Sequence, residues 1–186
     1  LNYTLNRHYP TAAQHYSSPA LALLYEVSAR QAQLMVEWER VGFIHGVMNT
    51  DNMALSGATL DYGPCAFLDT YDPHTVFSAI DRQGRYAFHN QAAMAQWNVA
   101  RLAEALLPLI AADETSAIEA AHQALHFFGE RYRQLWLNMM RNKLGLINAA
   151  ENDLTLINEL LSLMNEAQLD YTNTFAELTY APHQLM

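Results

Sequence analysis

His45-Gly46-Val47-Met48-Asn49-Thr50-Asp51-Asn52, with Asp61-Tyr62-Gly63 a short way beyond it, is the stretch on which the reading of this chain turns. Between the two lie Met53-Ala54-Leu55 and Ala58-Thr59-Leu60, short apolar arms about Ser56-Gly57, a pattern that predicts a small β-hairpin with a two-residue turn. Upstream, Ser18-Pro19 reads as an N-cap with proline at the first helical position. Leu23, Leu24, Val27, Leu34, Met35 and Trp38 then recur at helical spacing, so a helix is expected to about Arg40, with Gly42 in the left-handed C-terminal position. A rigid helix therefore delivers the loop that starts at His45.

The order of polar groups in this stretch is that of a metal-nucleotide site. In protein kinases the catalytic loop reads His-Arg-Asp and ends, five residues after the Asp, in an Asn that binds metal; a hairpin then leads to Asp-Phe-Gly, whose Asp also binds metal. Laying His45 on the kinase His puts Asn52 on the metal-binding Asn and Asp61-Tyr62-Gly63 in place of Asp-Phe-Gly. Magnesium favours hard oxygen ligands in octahedral array, and an amide oxygen and a carboxylate either side of a hairpin leave room for phosphates and water. The overlay breaks at one point: the kinase base falls on Val47, which cannot accept a proton. The nearest carboxylate in the loop is Asp51, the candidate proton acceptor, and a cation beside it would favour its ionised form. His45 reads as a brace for the loop. Taken singly, Asn-Thr-Asp-Asn and Asp-Tyr-Gly are also ordinary turn sequences; the chemical reading rests on their order and spacing together.

Composition narrows the partners. The chain has 186 residues, 51% hydrophobic and 16% charged, enough to bury a core without staples. Its formal charge of −9, with ten Lys and Arg scattered along the chain, argues against nucleic acid as a partner. An acidic chain still binds a nucleotide when a divalent cation screens the phosphates. No apolar run approaches membrane-spanning length, so no membrane role is expected. Cys65 is the only cysteine, which excludes an intrachain disulfide and fits a reducing cytoplasm. Leu1 in place of an initiator Met fits a fragment.

From Pro64 to about His89 the periodicity is poor and Asp72-Pro73, Asp81 and Gly84 mark turns, so a long irregular segment is expected, with Asp69 and Asp72 as braces. After Asn90, read as an N-cap, the chain becomes helical. A first stripe runs Met94, Trp97, Ala105, Leu106, Leu109, with Pro108 kinking or ending the helix. A second starts near Asp113 to Thr115 and carries Ile118, Ala121, Leu125, Phe128, Tyr132, Leu135, Trp136 and Met139, with Gly145 after it. A third, from about Asn148, carries Leu154, Ile157, Leu160, Leu161 and Met164, and a last begins near Asp170 with Phe175 and Leu178 inward. Trp97, Phe127, Phe128, Trp136, Met139 and Met140 read as core. His122 and His126, four apart, read as an exposed pair rather than metal ligands.

The expected fold class is mainly α with a small β-hairpin, a protein-kinase-like C-terminal lobe whose N-terminal lobe is absent. A single domain over 1–186 would comprise a lead-in helix (1–44), the loop, hairpin and irregular segment (45–89) and a helical bundle (90–186).

His45-Gly-Val-Met-Asn-Thr-Asp-Asn-Met53, Leu60-Asp-Tyr-Gly-Pro64, Phe67-Leu-Asp-Thr-Tyr-Asp-Pro73, Gly84-Arg-Tyr-Ala-Phe88, Asn90-Gln91 and Trp97-Asn98 resemble, in order, the signature blocks of the selenoprotein O family. Arg7-His8-Tyr9-Pro10 and the helix before His45 are similar to its preceding segment. The resemblance implies a pseudokinase-like fold that binds ATP in reversed orientation and transfers AMP to protein hydroxyl groups on Ser, Thr or Tyr. Transfer of UMP from UTP is also attributed to bacterial members, and Mg²⁺ or Mn²⁺ is the metal. On it, Asp51 matches the proton acceptor, Asn52 and Asp61 the metal ligands, and Asp61 also a nucleotide contact. Implied partners are a nucleoside triphosphate and hydroxyl-bearing protein substrates. The family's glycine-rich loop, its nucleotide-contacting Lys and the partner Glu have no match here, nor does its far C-terminal Cys or selenocysteine. The isolated chain is therefore expected to hold half a cleft and to turn over little. Conventional phosphoryl transfer and a non-enzymatic pseudokinase scaffold are the competing readings; Val47 weighs against the first, and retention of Asn52 and Asp61 against the second.

Overall fold

The computed structural model of the chain describes residues 1–16 and 18–180. Its helices are α1 (Asn2–His8), α2 (Pro19–Arg40), α3 (Gln91–Ile110), α4 (Glu114–Leu144), α5 (Asp153–Glu166) and α6 (Tyr171–Tyr180), with 3-10 turns at Ala12–Gln14, Thr50–Asn52 and Phe88–Asn90. Strands β1 (Phe43–Ile44) and β2 (Ala66–Phe67) pair antiparallel, Phe43 opposite Phe67 and Ile44 opposite Ala66. The chain is thus mainly helical with a small antiparallel sheet, as its sequence predicts, although the pairing is not where the pattern places it. The arms around Ser56-Gly57 make one isolated bridge, Met53 to Thr59, and the turn closes from Gly57 N–H to the Ala54 carbonyl at 2.9 Å. A two-residue connection is therefore replaced by a longer one, and the paired strands lie outside it. The last six residues of the expected bundle, 181–186, lie outside the described residues.

Two compact units divide the chain. The first takes Leu1–Met35, Met48–Tyr62 and Ala92–Arg133. Its helix starts obey local chemistry: the Ser18 hydroxyl oxygen accepts the Leu21 N–H at 3.1 Å, and Asp113 accepts the Ser116 N–H at 2.8 Å, each satisfying an otherwise orphaned donor of a first turn. The core face of α3 is Ala92, Ala95, Val99, Ala103 and Leu106, and that of α4 is Ala117, Ala121, Ala124 and Phe128. The α3 face is rotated from the expected stripe, whereas Ala121, Phe128 and Met139 of the stripe expected for α4 are buried. Of Met94, Trp97, Ala105, Leu106 and Leu109 only Leu106 is buried, Trp97 is 39% exposed and Leu109 57%, while Ile118 lies one position off the buried row. The large residues suggested one face, and packing chose the alanine face, where small side chains let backbones approach closely. Trp97 instead lies under the Arg101 guanidinium, 5.0 Å from its ring centre. Phe127, half-buried, packs edge-on against Tyr25, which stacks on Tyr16.

The second unit takes Val36–Val47, Gly63–Gln91 and the chain from Gln134. Its centre is aromatic: Tyr71, Phe88, Tyr171 and Phe175 are buried, with ring centroids 5.3 to 6.3 Å apart in edge-on and stacked pairs. The irregular segment is ordered by its own hydrogen bonds. Asp81 accepts the N–H groups of Arg85 and Tyr86, and Asp72 accepts that of His74, so Asp72 is the brace expected of it. Asp69 contributes its carbonyl, which receives the Tyr171 N–H at 2.7 Å. Asn90 is not an N-cap: it ends a 3-10 turn, and its amide donates to the Gly84 carbonyl at 2.7 Å. Arg141 of α4 donates to Asp153 at the start of α5 at 2.6 Å, and Lys143 donates to the Arg40 carbonyl at the end of α2 at 2.7 Å. In α5 Ile157 and Met164 are buried, whereas Leu154 is half exposed; in α6 Phe175 is buried and Leu178 is not.

Candidate functional site

The first part of the loop belongs to the second unit and is held rigidly. His45 is fully buried, its ring stacked on Trp38 at 5.2 Å, and its Nδ1 accepts the Val47 N–H at 3.3 Å. An Nδ1 that accepts leaves the ring proton of the neutral imidazole on Nε2. A buried ring used in this way braces the loop, the role its sequence predicts. Gln91, also fully buried, works on the main chain from both sides of its amide: Oε1 accepts the His45 N–H at 3.0 Å and Nε2 donates to the Phe43 carbonyl at 3.0 Å. Gly46 has φ +86°, and a Cβ there would meet the Pro64 carbonyl oxygen at 2.9 Å. The chain just after Asp61-Tyr62-Gly63 therefore lies against the loop at a position only glycine tolerates.

The second part belongs to the first unit, and it carries the three predicted site residues. Asp51 and Asn52 share the 3-10 turn Thr50–Asn52, closed by the Asn52 N–H to the Asn49 carbonyl at 2.9 Å; Asp51 is exposed and Asn52 half-buried. Asn52 lies one residue before Met53 and Asp61 two after Thr59, and Met53 and Thr59 form the bridge. Bridged residues of antiparallel chains have Cα atoms about 5 Å apart, so the fold brings Asn52 and Asp61 to the open end of one hairpin. Asp61 is exposed and adopts φ +59°. Few non-glycine residues accept that conformation, aspartate among them, and such backbone positions concentrate at binding sites.

Three side chains that sequence reasoning did not single out hold this hairpin. Asn98 donates from Nδ2 to the Met48 carbonyl at 3.0 Å, Gln31 donates to the Ala54 carbonyl at 2.7 Å, and the Tyr9 hydroxyl donates to the Leu55 carbonyl. Gly57, at φ +74°, passes so close to Arg30 that a Cβ would come within 3.1 Å of the arginine Cβ. The signal for Asn98 was available, since Gln91 and Asn98 stand seven apart on the alanine face of α3, where a buried amide must find a partner. Gln31 and Asn98 are 2% and 7% exposed, and Gln31 Oε1 and Asn98 Oδ1 are the buried side-chain acceptors without a hydrogen-bond partner among the described residues. Both side chains line a cavity of about 320 Å³ in the first unit.

Metal capacity follows from donor chemistry. No group of three or more His, Cys, Asp or Glu among the described residues could hold an ion. Asn52 and Asp61 offer two hard oxygens, which suits a cation whose remaining ligands are phosphate and water. His122 and His126 are exposed, and the His126 Nε2 lies 4.0 Å from Glu130, as befits a surface pair. Cys65 is half-buried. No helix among the described residues is long and apolar enough to cross a membrane.

The family described as Protein adenylyltransferase SelO matches residues 1–185. Proteins named Protein nucleotidyltransferase YdiU are similar to the chain: that of Shouchella clausii is 55% identical over 178 residues, and that of Halalkalibacterium halodurans 54% over 179. A third, from Pelagibacter ubique, is 54% identical over 175 residues. The alignments cover 96%, 96% and 94% of this chain and 36% of each relative. The chain thus spans about a third of the length of the curated relatives it matches.

Proposed function

We infer, because the chain belongs to the protein adenylyltransferase SelO family, that it forms part of an enzyme moving AMP from ATP to serine, threonine or tyrosine hydroxyls of other proteins, with UTP as an alternative donor. The observation that carries this reading is the hairpin: Asp51 and Asn52 on one 3-10 turn, and Asp61 in a left-handed conformation at the same open end. The order of loop, hairpin and following helices supports a kinase-like C-terminal lobe. It takes in Val47 where a kinase has its base, which favours the rebuilt site over conventional phosphoryl transfer.

In this reading Asn52 and Asp61 would hold Mg²⁺ or Mn²⁺, and Asp61 would also contact the nucleotide. The cation would supply charge neutralisation on the phosphates. The protein hydroxyl oxygen forms a bond to the α-phosphorus, the bond from that phosphorus to the bridging oxygen breaks, and pyrophosphate leaves with the electron pair. Asp51 accepts the hydroxyl proton. Its exposure suits this role, because the base must reach a hydroxyl carried by another protein. His45, buried and already accepting a backbone N–H, positions the loop.

Intact-mass measurement on a target protein incubated with ATP and a full-length family enzyme carrying this segment tests the reading. A gain of one AMP is expected. A gain of phosphate would replace it with kinase chemistry, and an unchanged mass across a panel of targets would favour the scaffold.

A further inference from the structure

We propose that Asn98 is a positioning residue for Asp51, anchoring the chain that presents the base. What Asp51 does rests on the nucleotidyl-transfer reading; that Asn98 anchors its turn does not. Asn98 is buried on α3 and donates from Nδ2 to the Met48 carbonyl at 3.0 Å, fifty residues away in sequence. The same nitrogen donates to the Met94 carbonyl one turn back in the helix, also at 3.0 Å. Turning the amide over would set its oxygen against both carbonyls, which fixes its direction. The oxygen itself has no hydrogen-bond partner among the described residues, so the side chain is used for its donor alone. A residue that only filled the core would be apolar, because a buried acceptor without a partner is a penalty that an aliphatic side chain avoids. What the amide supplies is a grip on the last buried residue before the turn: Met48 is buried, and Asp51 follows three residues on, exposed.

The turn has little behind it. Thr50, which opens it, and Met53, which follows it, line the 320 Å³ cavity together with Val99 and Leu102 of α3. Side chains over empty space lack the close contacts that fix a core residue, so more of the placement of Thr50–Asn52 falls to hydrogen bonds at its ends. At one end Asn98 holds Met48. At the other, Met53 is bridged to Thr59, and Gln31 of α2 donates to the Ala54 carbonyl at 2.7 Å. Asn52 adjoins the bridged residue and is tied from the hairpin side, so a loosened Met48 displaces the base before it displaces the metal ligand. A reacting group out of place by about 1 Å loses as much as about 10²-fold in rate.

The test is a mutant cycle in a full-length family enzyme carrying this segment. Asn98→Leu should lower kcat for transfer at least about tenfold, with KM for ATP within about twofold. In an Asp51→Asn background the same change should lower kcat less than about twofold, because a base that is absent cannot be misplaced. Equal losses in the two backgrounds, the signature of a purely structural role, overturn the proposal, as does full turnover in Asn98→Leu alone. Should Asn98→Leu not fold, Asn98→Ser takes its place, since a serine hydroxyl returns to the carbonyl four residues back but is too short for Met48. Hydrogen exchange read by mass spectrometry on a peptide holding residues 50–53 tests the anchor without any activity. The Asn52 N–H, closed on the Asn49 carbonyl at 2.9 Å, should exchange at least about fivefold faster in the variant, and unchanged exchange overturns the proposal. An unchanged target mass with the unaltered enzyme would mean that the transfer reading has failed, and the exchange then decides alone whether Asn98 anchors the turn.

Discussion

Asp61 joins two demands in one residue, a left-handed backbone and a proposed ligand oxygen, and substitutions can separate them. Glycine accepts φ +59° freely, whereas alanine there costs about 1 to 2 kcal/mol. Asp61→Gly should therefore keep or slightly raise the thermal midpoint, and Asp61→Ala should lower it, while both weaken metal-dependent ATP binding at least about tenfold. Calorimetry and thermal unfolding of the two variants side by side check this; ATP affinity unchanged in both would remove Asp61 from the site. Asp51 should behave differently. Asp51→Asn preserves shape but not basicity, so in a full-length family enzyme it should lower kcat by about 10² to 10⁴-fold with ATP affinity within a few-fold. Near-normal turnover in that variant, with His45→Gln inactive yet folded, would reverse the roles. The roles of Asp51, Asn52 and Asp61 could be formulated from spacing alone, because the chemistry depends on residue type and order. The left-handed backbone of Asp61 could not, since aspartate adopts either conformation and the fold selects one.

Among the elements, α2 and α4 show how helix ends report on packing. Lys143 reaches the last carbonyl of α2 and lies 4.4 and 4.0 Å from the ring centres of Tyr171 and Phe175. Burial pushes its pKa down from 10.5 to about 8, with the neighbouring Arg40 charge acting in the same direction. Between about pH 8 and 10 the folded chain then holds fewer protons at this site than the unfolded chain, so stability contributed here rises with pH across that window. Urea unfolding at pH 7.5 and 9.5 should show the native chain gaining on Lys143→Met, which keeps the stem without the titrating group. A constant difference between the two proteins would show that Lys143 does not titrate there. Helix ends were legible because their signals are local, as Ser18, Asp113, Gly42 and Gly145 illustrate: two side chains close orphan N–H groups and two glycines adopt positive φ. Helix faces were not, for α3 buries alanines and exposes Trp97 and Leu109.

At the scale of the molecule, the chain covers 36% of the length of relatives 54 to 55% identical to it. A nucleotide gripped by residues of the whole relative should meet only part of its contacts here. The 186-residue chain is expected to bind ATP with Mg²⁺ at least about tenfold more weakly than a full-length family enzyme, and equal affinities by calorimetry would place the whole nucleotide site within this segment. The mainly helical class, the helix from Ser18-Pro19 to Arg40, the irregular stretch after Pro64 and the sequence of candidate ligands were all determined by the chain's own residues. Each depends on period, capping chemistry or order, which neighbours distant in sequence do not alter. Tertiary structure alone decided that Gln91 and Asn98 would clasp the loop, that β1 would pair with β2 outside the expected hairpin, and that Gln31 would be buried with its amide on the Ala54 carbonyl. Those outcomes depend on which surfaces meet. An amide on a helix face carries the same local signal whether it turns to water or to a carbonyl dozens of residues away, and only the packed chain settles which partner it finds.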